Sequence, residues 1–390
     1  MKMLRKIGRT SIANSIGILS LLVLSAALLL SLNSTTLAQT RQSDTRTISI
    51  SDDGVKMRFE IRGKAEFTED YTDIRDISEG GYVRIEEDRN GQSRRYEVRR
   101  DASGQLRRTY YVNGEARALD QSGKTWLAKI VLDAVRQGGI DADKRVQTIL
   151  QQHGVSGVLE EIKLVSGDHG KGIYFQALIK NANVGVPDLQ NVLREAARQI
   201  SSDYEHAQLL IGVAEILTGK EAALPAFFEA TGTIRSDYEH KRVLTTLLKK
   251  INPTREVLVE IAKSAASISS DYEKASVLKE VASVYLDDQV LRSVFFQTVR
   301  TIESDYEHRG VLSALLKSKK LSVEVLSLML DSASGIASDY EKATFLLEAS
   351  NAYTGDERLR SAFLKTVETI KSEYERGRVL SALLKNKQIS

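Results

Sequence analysis

The second half of the chain carries apolar residues at helical spacing inside a unit that repeats. Tyr306, Val311, Leu312, Leu315 and Leu316 keep one helical spacing, and Leu291, Phe295, Thr298, Val299 and Ile302 form a second stripe just ahead of them. That second stripe returns 68 residues later as Leu359, Phe363, Thr366, Val367 and Ile370. A short polar phrase joins the stripes and occurs six times. It reads Ser202-Asp203-Tyr204-Glu205, Ser236-Asp237-Tyr238-Glu239, Ser270-Asp271-Tyr272-Glu273, Ser304-Asp305-Tyr306-Glu307, Ser338-Asp339-Tyr340-Glu341 and Ser372-Glu373-Tyr374-Glu375. Its tyrosines fall at a constant interval of 34 residues. A fixed period of this size marks units too small to bury their apolar faces alone, which stack to do so. The pattern predicts a mainly α protein, a right-handed α-solenoid of 34-residue helical-hairpin repeats. Six repeats fill residues 187–390, each with two helices of about 13–15 residues.

The phrase fixes where one helix of each pair begins. Ser-x-x-Glu is a capping box: the serine side chain accepts from the third helical amide, and the glutamate reaches back to the serine amide. Ser202, Glu205, Ser236, Glu239, Ser270, Glu273, Ser304, Glu307, Ser338, Glu341, Ser372 and Glu375 are the expected box residues. Both acids also face the positive end of the helix dipole, and the one departure, Glu373, keeps that charge. Breaks at Thr218-Gly219, Asn252-Pro253, Leu321-Ser322 and Thr354-Gly355 separate the helices, with Asn252 the expected N-cap before an N1 proline. Helices after the phrases at 236, 304 and 372 run into Val-Leu-x-x-Leu-Leu-Lys, and the others are longer and carry alanine, which suggests a 68-residue pair as the larger unit.

Two positions in the phrase have competing readings. The tyrosine is either an exposed ladder for a peptide or glycan, or packing between neighbours, and its spacing to the following Val-Leu favours packing. His206, His240 and His308 share a position with Lys274, Lys342 and Arg376, which favours a basic stripe over a metal ladder.

Residues 122–186 read as degenerate capping repeats. Gly172 to Lys180 matches Gly310 to Lys317 with one insertion, and Trp126 and Leu127 open another helical pattern. At the other end Lys385 to Ser390 matches Lys317 to Ser322 and then stops, so a partner or a second copy of the chain is expected to cover the uncapped last repeat. Residues 46–118 change period. Turn pairs at Asp53-Gly54, Gly80-Gly81, Asn90-Gly91, Ser103-Gly104 and Asn113-Gly114 separate alternating runs such as Tyr82 to Glu86, the mark of a small antiparallel β domain. Arg94, Arg95, Arg99, Arg100, Arg107 and Arg108 lie on two of these strands. They read as a patch for an anionic partner or as a solvated face pairing with Glu86, Glu87 and Asp88, and the second is favoured.

Residues 1–38 have a basic start, an apolar run over 12–32 and Thr36-Leu37-Ala38 before Gln39, the layout of a secretory signal peptide or of an uncleaved anchor. Residues 39–45 read as a linker. The chain is therefore expected to be exported, periplasmic or otherwise extracytoplasmic, touching a membrane only if that segment stays uncleaved. Four of the 55 basic residues stand at Lys2, Arg5, Lys6 and Arg9, so the chain beyond residue 38 carries 51 against 52 acids. A net of −1 argues against bulk binding of nucleic acid. Cysteine is absent, which excludes disulfides, thiolate catalysis and cysteine-based zinc sites.

The paired helices resemble HEAT-like or armadillo-like solenoids. Their length equals that of tetratricopeptide repeats, whose signature is missing here. The Ile-x-Ser-Asp-Tyr-Glu phrase resembles repeats in uncharacterised exported bacterial proteins. With the β-rich segment ahead of it, it is also similar to the extracytoplasmic tails of some BlaR1-like membrane metallopeptidases. The likeness covers about residues 46–390, but the peptidase His-Glu-x-x-His motif and its membrane spans are absent, so it implies a sensing or partner-binding module rather than proteolysis. No phosphate loop or nucleophile elbow is present, and Asp203 with Glu205 recurs at every helix start, where capping explains it. His153 and His169 stand alone and read as structural. The expectation is a non-enzymatic scaffold without catalytic, cofactor or metal residues, holding a protein partner on the solenoid. The alternative is an envelope sensor whose β domain binds a glycan, lipid or peptide while the solenoid docks a partner.

Overall fold

Two Asn-Gly pairs show how the sheet is turned. Asn90 and Gly91 both have positive φ, as do Asn113 and Gly114, the backbone that lets a two-residue hairpin follow the strand twist. The computed structural model describes residues 36–42, 45–52, 54–285, 287–318, 321–352 and 356–385. The expected signal segment lies outside them except at its last residues. Seven strands form one antiparallel sheet: β1 (Thr36–Gln42), β2 (Thr45–Asp52), β3 (Val55–Arg62), β6 (Tyr82–Arg89), β7 (Gln92–Arg100), β8 (Leu106–Val112) and β9 (Glu115–Arg117), in the order β1-β2-β3-β6-β7-β8-β9. A separate hairpin, β4 (Ala65–Phe67) with β5 (Ile74–Ile77), sits between β3 and β6 in the chain. Strand β1 pairs with β2 from Thr36 onward, so most of the segment read as a linker is sheet edge.

One row of side chains crosses five strands in register: Ile48, Phe59, Ile85, Tyr96 and Tyr110, all buried. An apolar face of that kind needs a second layer. Helix α1 (Gln121–Gly138) supplies it with Trp126, Leu127, Ile130, Val131, Ala134 and Val135. This corrects the reading of 122–186 as capping repeats throughout, because α1 completes the β core.

The remaining helices are α2 (Ala142–Lys163, kinked at Gly154), α3 (Asp168–Asn181), α4 (Val186–Gln199), α5 (Asp203–Ala214), α6 (Leu224–Thr231), α7 (Asp237–Lys250), α8 (Arg255–Ala265) and α9 (Asp271–Ser283). They continue as α10 (Gln289–Val299), α11 (Asp305–Leu316), α12 (Val323–Ser334), α13 (Asp339–Ser350), α14 (Glu357–Glu368) and α15 (Glu373–Lys385). The odd-numbered helices from α3 to α15 stack in succession, and the even-numbered ones from α4 to α14 do the same beside them. Six hairpins, α4–α5 through α14–α15, form the helical-repeat solenoid, and α3 heads the odd layer. Phe227, Leu258, Phe295, Leu312 and Leu346 belong to its continuous core. The repeat helices span 8 to 14 residues: α4, α7, α9 and α15 have the expected 13–15, and the others are shorter. Among the described residues no helix is long and apolar enough to cross a membrane.

The 68-residue unit is physical. Thr254 and Ser322 cap α8 and α12, whereas Asp288 and Asp356 cap α10 and α14. Thr254 caps α8 in place of the expected Asn252, because the helix starts at Arg255, beyond Pro253 rather than on it. Thr298 donates to the Ala262 carbonyl at 3.1 Å, and Thr366 donates to the Leu330 carbonyl at 3.0 Å, buried bonds between successive even helices. On the last hairpin Leu364, Leu380 and Leu384 are exposed.

Candidate functional site: an exposed tyrosine ridge

Each phrase is a joint with four separate tasks. The serine caps its helix: the amides of Glu205, Glu239, Glu273, Glu307, Glu341 and Glu375 donate to the serine side chains at 3.3–3.4 Å. The reciprocal half of the expected box is missing. The serine amide donates instead to the aspartate of the preceding phrase: Ser236 to Asp203 at 2.9 Å, Ser270 to Asp237 at 2.7 Å, and Ser304 to Asp271 at 2.7 Å. Ser338 donates to Asp305 at 2.8 Å and Ser372 to Asp339 at 2.7 Å. The residue before each serine adds a second amide, for example Glu303 to Asp271 at 3.0 Å. These two donors, chiefly the Ser372 amide, hold the Asp339 carboxyl below its ordinary range.

The chain of clasps begins one helix earlier than the phrase does. Asp168 accepts from Ser202 at 2.7 Å, and Lys171 donates to the Gln199 carbonyl at 2.8 Å, as Lys274 does to Thr301 at 3.2 Å. Both residues were missed in the sequence. The spacing Asp-x-x-Lys shared by 168–171, 271–274 and 339–342 was the available signal.

With the serine amides taken, the glutamates pair with basic residues. Glu205 meets His169 at 2.9 Å, Glu273 meets Lys241 at 3.2 Å, and Glu307 meets Lys279 at 2.6 Å, all from the preceding odd helix, as does Arg309 with Glu341. Glu239 and Glu375 take Arg242 and Arg378 on their own helices.

The position after the glutamate is buried in five of the six phrases and half-buried at Arg376, which overturns the basic stripe. His206, His240, His308, Lys274 and Lys342 all lie in the interior. His240 and His308 bond Ser264 and Ser332 at 2.8 and 2.9 Å, and Lys342 bonds the Thr369 hydroxyl at 2.9 Å, so each fastens an odd helix to the following even one. Burial pushes the imidazoles down, His206 to about 4. Among the described residues no three metal-binding side chains come together.

The tyrosines face solvent, contrary to the packing reading. Tyr204 and Tyr238 are 54% exposed, and Tyr374 reaches 74%. The buried face of α5 runs through His206, Leu209, Leu210 and Val213, and a residue two positions before His206 lies about 200° around the helix. Successive odd helices therefore present a ridge of phenols. Lys241 and Arg309 lie over Tyr238 and Tyr306, at 4.7 and 5.2 Å from the ring centres.

The six arginines of the β domain do not form one patch. Arg94, Arg100 and Arg108 share the face of Tyr96 and Tyr110, while Arg95, Arg99 and Arg107 lie on the other. Their acids are not those of the preceding strand: Arg95 and Arg99 meet Glu97 at 3.3 and 3.5 Å, Arg107 meets Asp101 at 2.9 Å, Arg108 meets Asp73 at 3.7 Å, and Arg100 meets Asp76.

No family model and no curated protein matches this chain. The functional reading therefore rests on the geometry of the ridge.

Proposed function

We propose that this protein is a non-enzymatic, exported scaffold that holds a protein partner along the tyrosine ridge of its solenoid. One observation carries the reading: six tyrosines at a constant interval of 34 each keep more than half of their surface in water. Tyrosine offers a large contact area with few rotatable bonds and a polar tip, which is why it is enriched at binding hot spots. A stack of repeats spreads such contacts over an extended surface. Export is supported by the basic-then-apolar order of residues 1–38.

Replacing Tyr238, Tyr272 and Tyr306 together by serine tests the reading, since all three side chains are exposed. Partner recovery by the tagged protein from native envelopes is expected to fall at least tenfold, about 1.4 kcal/mol or more. The circular dichroism spectrum and unfolding midpoint should stay at wild-type values. Undiminished recovery would remove the ridge from consideration.

A further inference from the structure

A groove opens on the ridge beside Gly310, at a position that carries an arginine in two of the six phrase helices. In α7 and α15 the residue three positions after the phrase glutamate is arginine: Arg242 pairs with Glu239 at 2.6 Å, and Arg378 pairs with Glu375 at 2.5 Å. In α11 that position is Gly310. Glu307 is served instead by Lys279, reaching across from α9 at 2.6 Å. The end of Lys279 takes the space beside Gly310, and a groove of about 520 Å³ lies alongside it between α9 and α11.

The lining of this groove is one-sided. Lys279, Arg309 and Lys317 contribute three cations, Tyr306, Ser283, Ser313 and Ser318 contribute hydroxyls, and no carboxylate is among the described residues that line it. The acids that partner Lys279 and Arg309, namely Glu307, Glu341 and Glu348, lie outside the lining. Ser313 is only 8% exposed, and its hydroxyl has no partner, although a helical serine ordinarily bonds back to its own turn. Its counterpart Thr245 on α7 does so, donating to the Lys241 carbonyl at 2.9 Å. A buried donor left idle beneath a cationic rim is arranged for an incoming acceptor.

We propose that this groove takes an acidic side chain of the partner segment lying along the ridge, its carboxylate received by Lys317 and the Ser313 hydroxyl beside the Tyr306 ring. The inference rests on the scaffold reading above and adds the chemistry of the partner: an extended acidic segment, anchored beside Gly310.

The test uses the full chain and a fluorescein-labelled hexaglutamate peptide, with hexaglutamine and inorganic phosphate as the other probes, at constant ionic strength. Hexaglutamate should bind saturably and hexaglutamine should not. Gly310→Arg introduces the arginine that α7 and α15 carry at this position, supplies Glu307 with it and moves only the end of Lys279, which an added Cβ would approach to 2.9 Å. It is expected to keep the wild-type unfolding midpoint and weaken hexaglutamate binding at least tenfold, about 1.4 kcal/mol. Ser313→Ala should fold normally and weaken it several-fold. Equal binding of the two peptides, wild-type affinity in Gly310→Arg, or phosphate binding as tightly as the peptide would each overturn the proposal. If the groove fails while the triple tyrosine variant still loses its partner, the scaffold reading stands and only the acidic anchor falls.

Discussion

Asp271→Ala is expected to destabilise the array by about 2–3 kcal/mol, although the side chain lies at the protein surface end of a helix. Asp271 accepts from two successive amides of the next repeat, Glu303 and Ser304, at 3.0 and 2.7 Å. Both are entry amides without a helical partner; the Glu303 bond is exposed, but the Ser304 bond is partly buried, so removing the carboxylate leaves one donor that water reaches poorly. The bond also joins neighbouring repeats, and solenoid stability is approximately a sum of repeat and interface contributions. The loss should therefore appear as broadened, less cooperative urea unfolding as well as a lower midpoint. Glu373→Ala is the internal control. Among the described residues no amide donates to Glu373, so only its dipole contribution at the start of α15 is lost, about 0.5 kcal/mol. Equal losses in the two variants would mean that the clasp contributes nothing beyond charge at a helix start.

Acidification is expected to weaken the fold between pH 6.5 and 4, before most carboxylates titrate. Burial disfavours the imidazolium of His206, with Asp203 opposing weakly, and holds its pKa near 4. Its Nδ1 meets the Thr233 hydroxyl at 3.4 Å, and its Nε2 is buried without a partner. In the unfolded chain the same group titrates near 6.5. Above that value both states are neutral and the histidine adds no pH dependence. Below it the unfolded state binds a proton that the folded state refuses, so stability falls until the folded group also protonates near pH 4. The loss from His206 is about 3 kcal/mol over the window, and His240 and His308 act in the same direction. Urea midpoints followed by circular dichroism from pH 7.5 to 4.5 should decline accordingly, and His206→Gln should flatten the decline. A midpoint constant across this window would contradict the buried placement of these rings.

The fold was largely legible because its signals are local and repeated. Ser202 through Ser372 had to be helix caps whatever surrounded them, and the apolar stripes of α10 and α14 announced the two layers. The orientation of the phrase residues was harder. The interval from tyrosine to the following Val-Leu looked like a core face, yet the face is set by the histidine or lysine position, which polar identity had disguised as surface. The clasp was invisible for a different reason. It joins Asp to an amide 33 residues on, and nothing in a single phrase distinguishes an acid serving its own helix dipole from one serving the next repeat. Tertiary contacts at the junction left no trace at all. The Tyr71 hydroxyl donates to Asp141 at 3.1 Å, and both residues have positive φ without being glycine, asparagine or part of a turn pair.

Site-specific photo-crosslinking tests the central claim most directly. A photoreactive phenylalanine placed at Tyr272 or Tyr306 on the ridge is compared with the same group at Lys263 or Gln297, which are exposed on the even-numbered helices. The account predicts one partner protein crosslinked from both ridge positions and from neither even-helix position. Crosslinks from Lys263 and Gln297 with none from the ridge would place the partner on the other layer and contradict it.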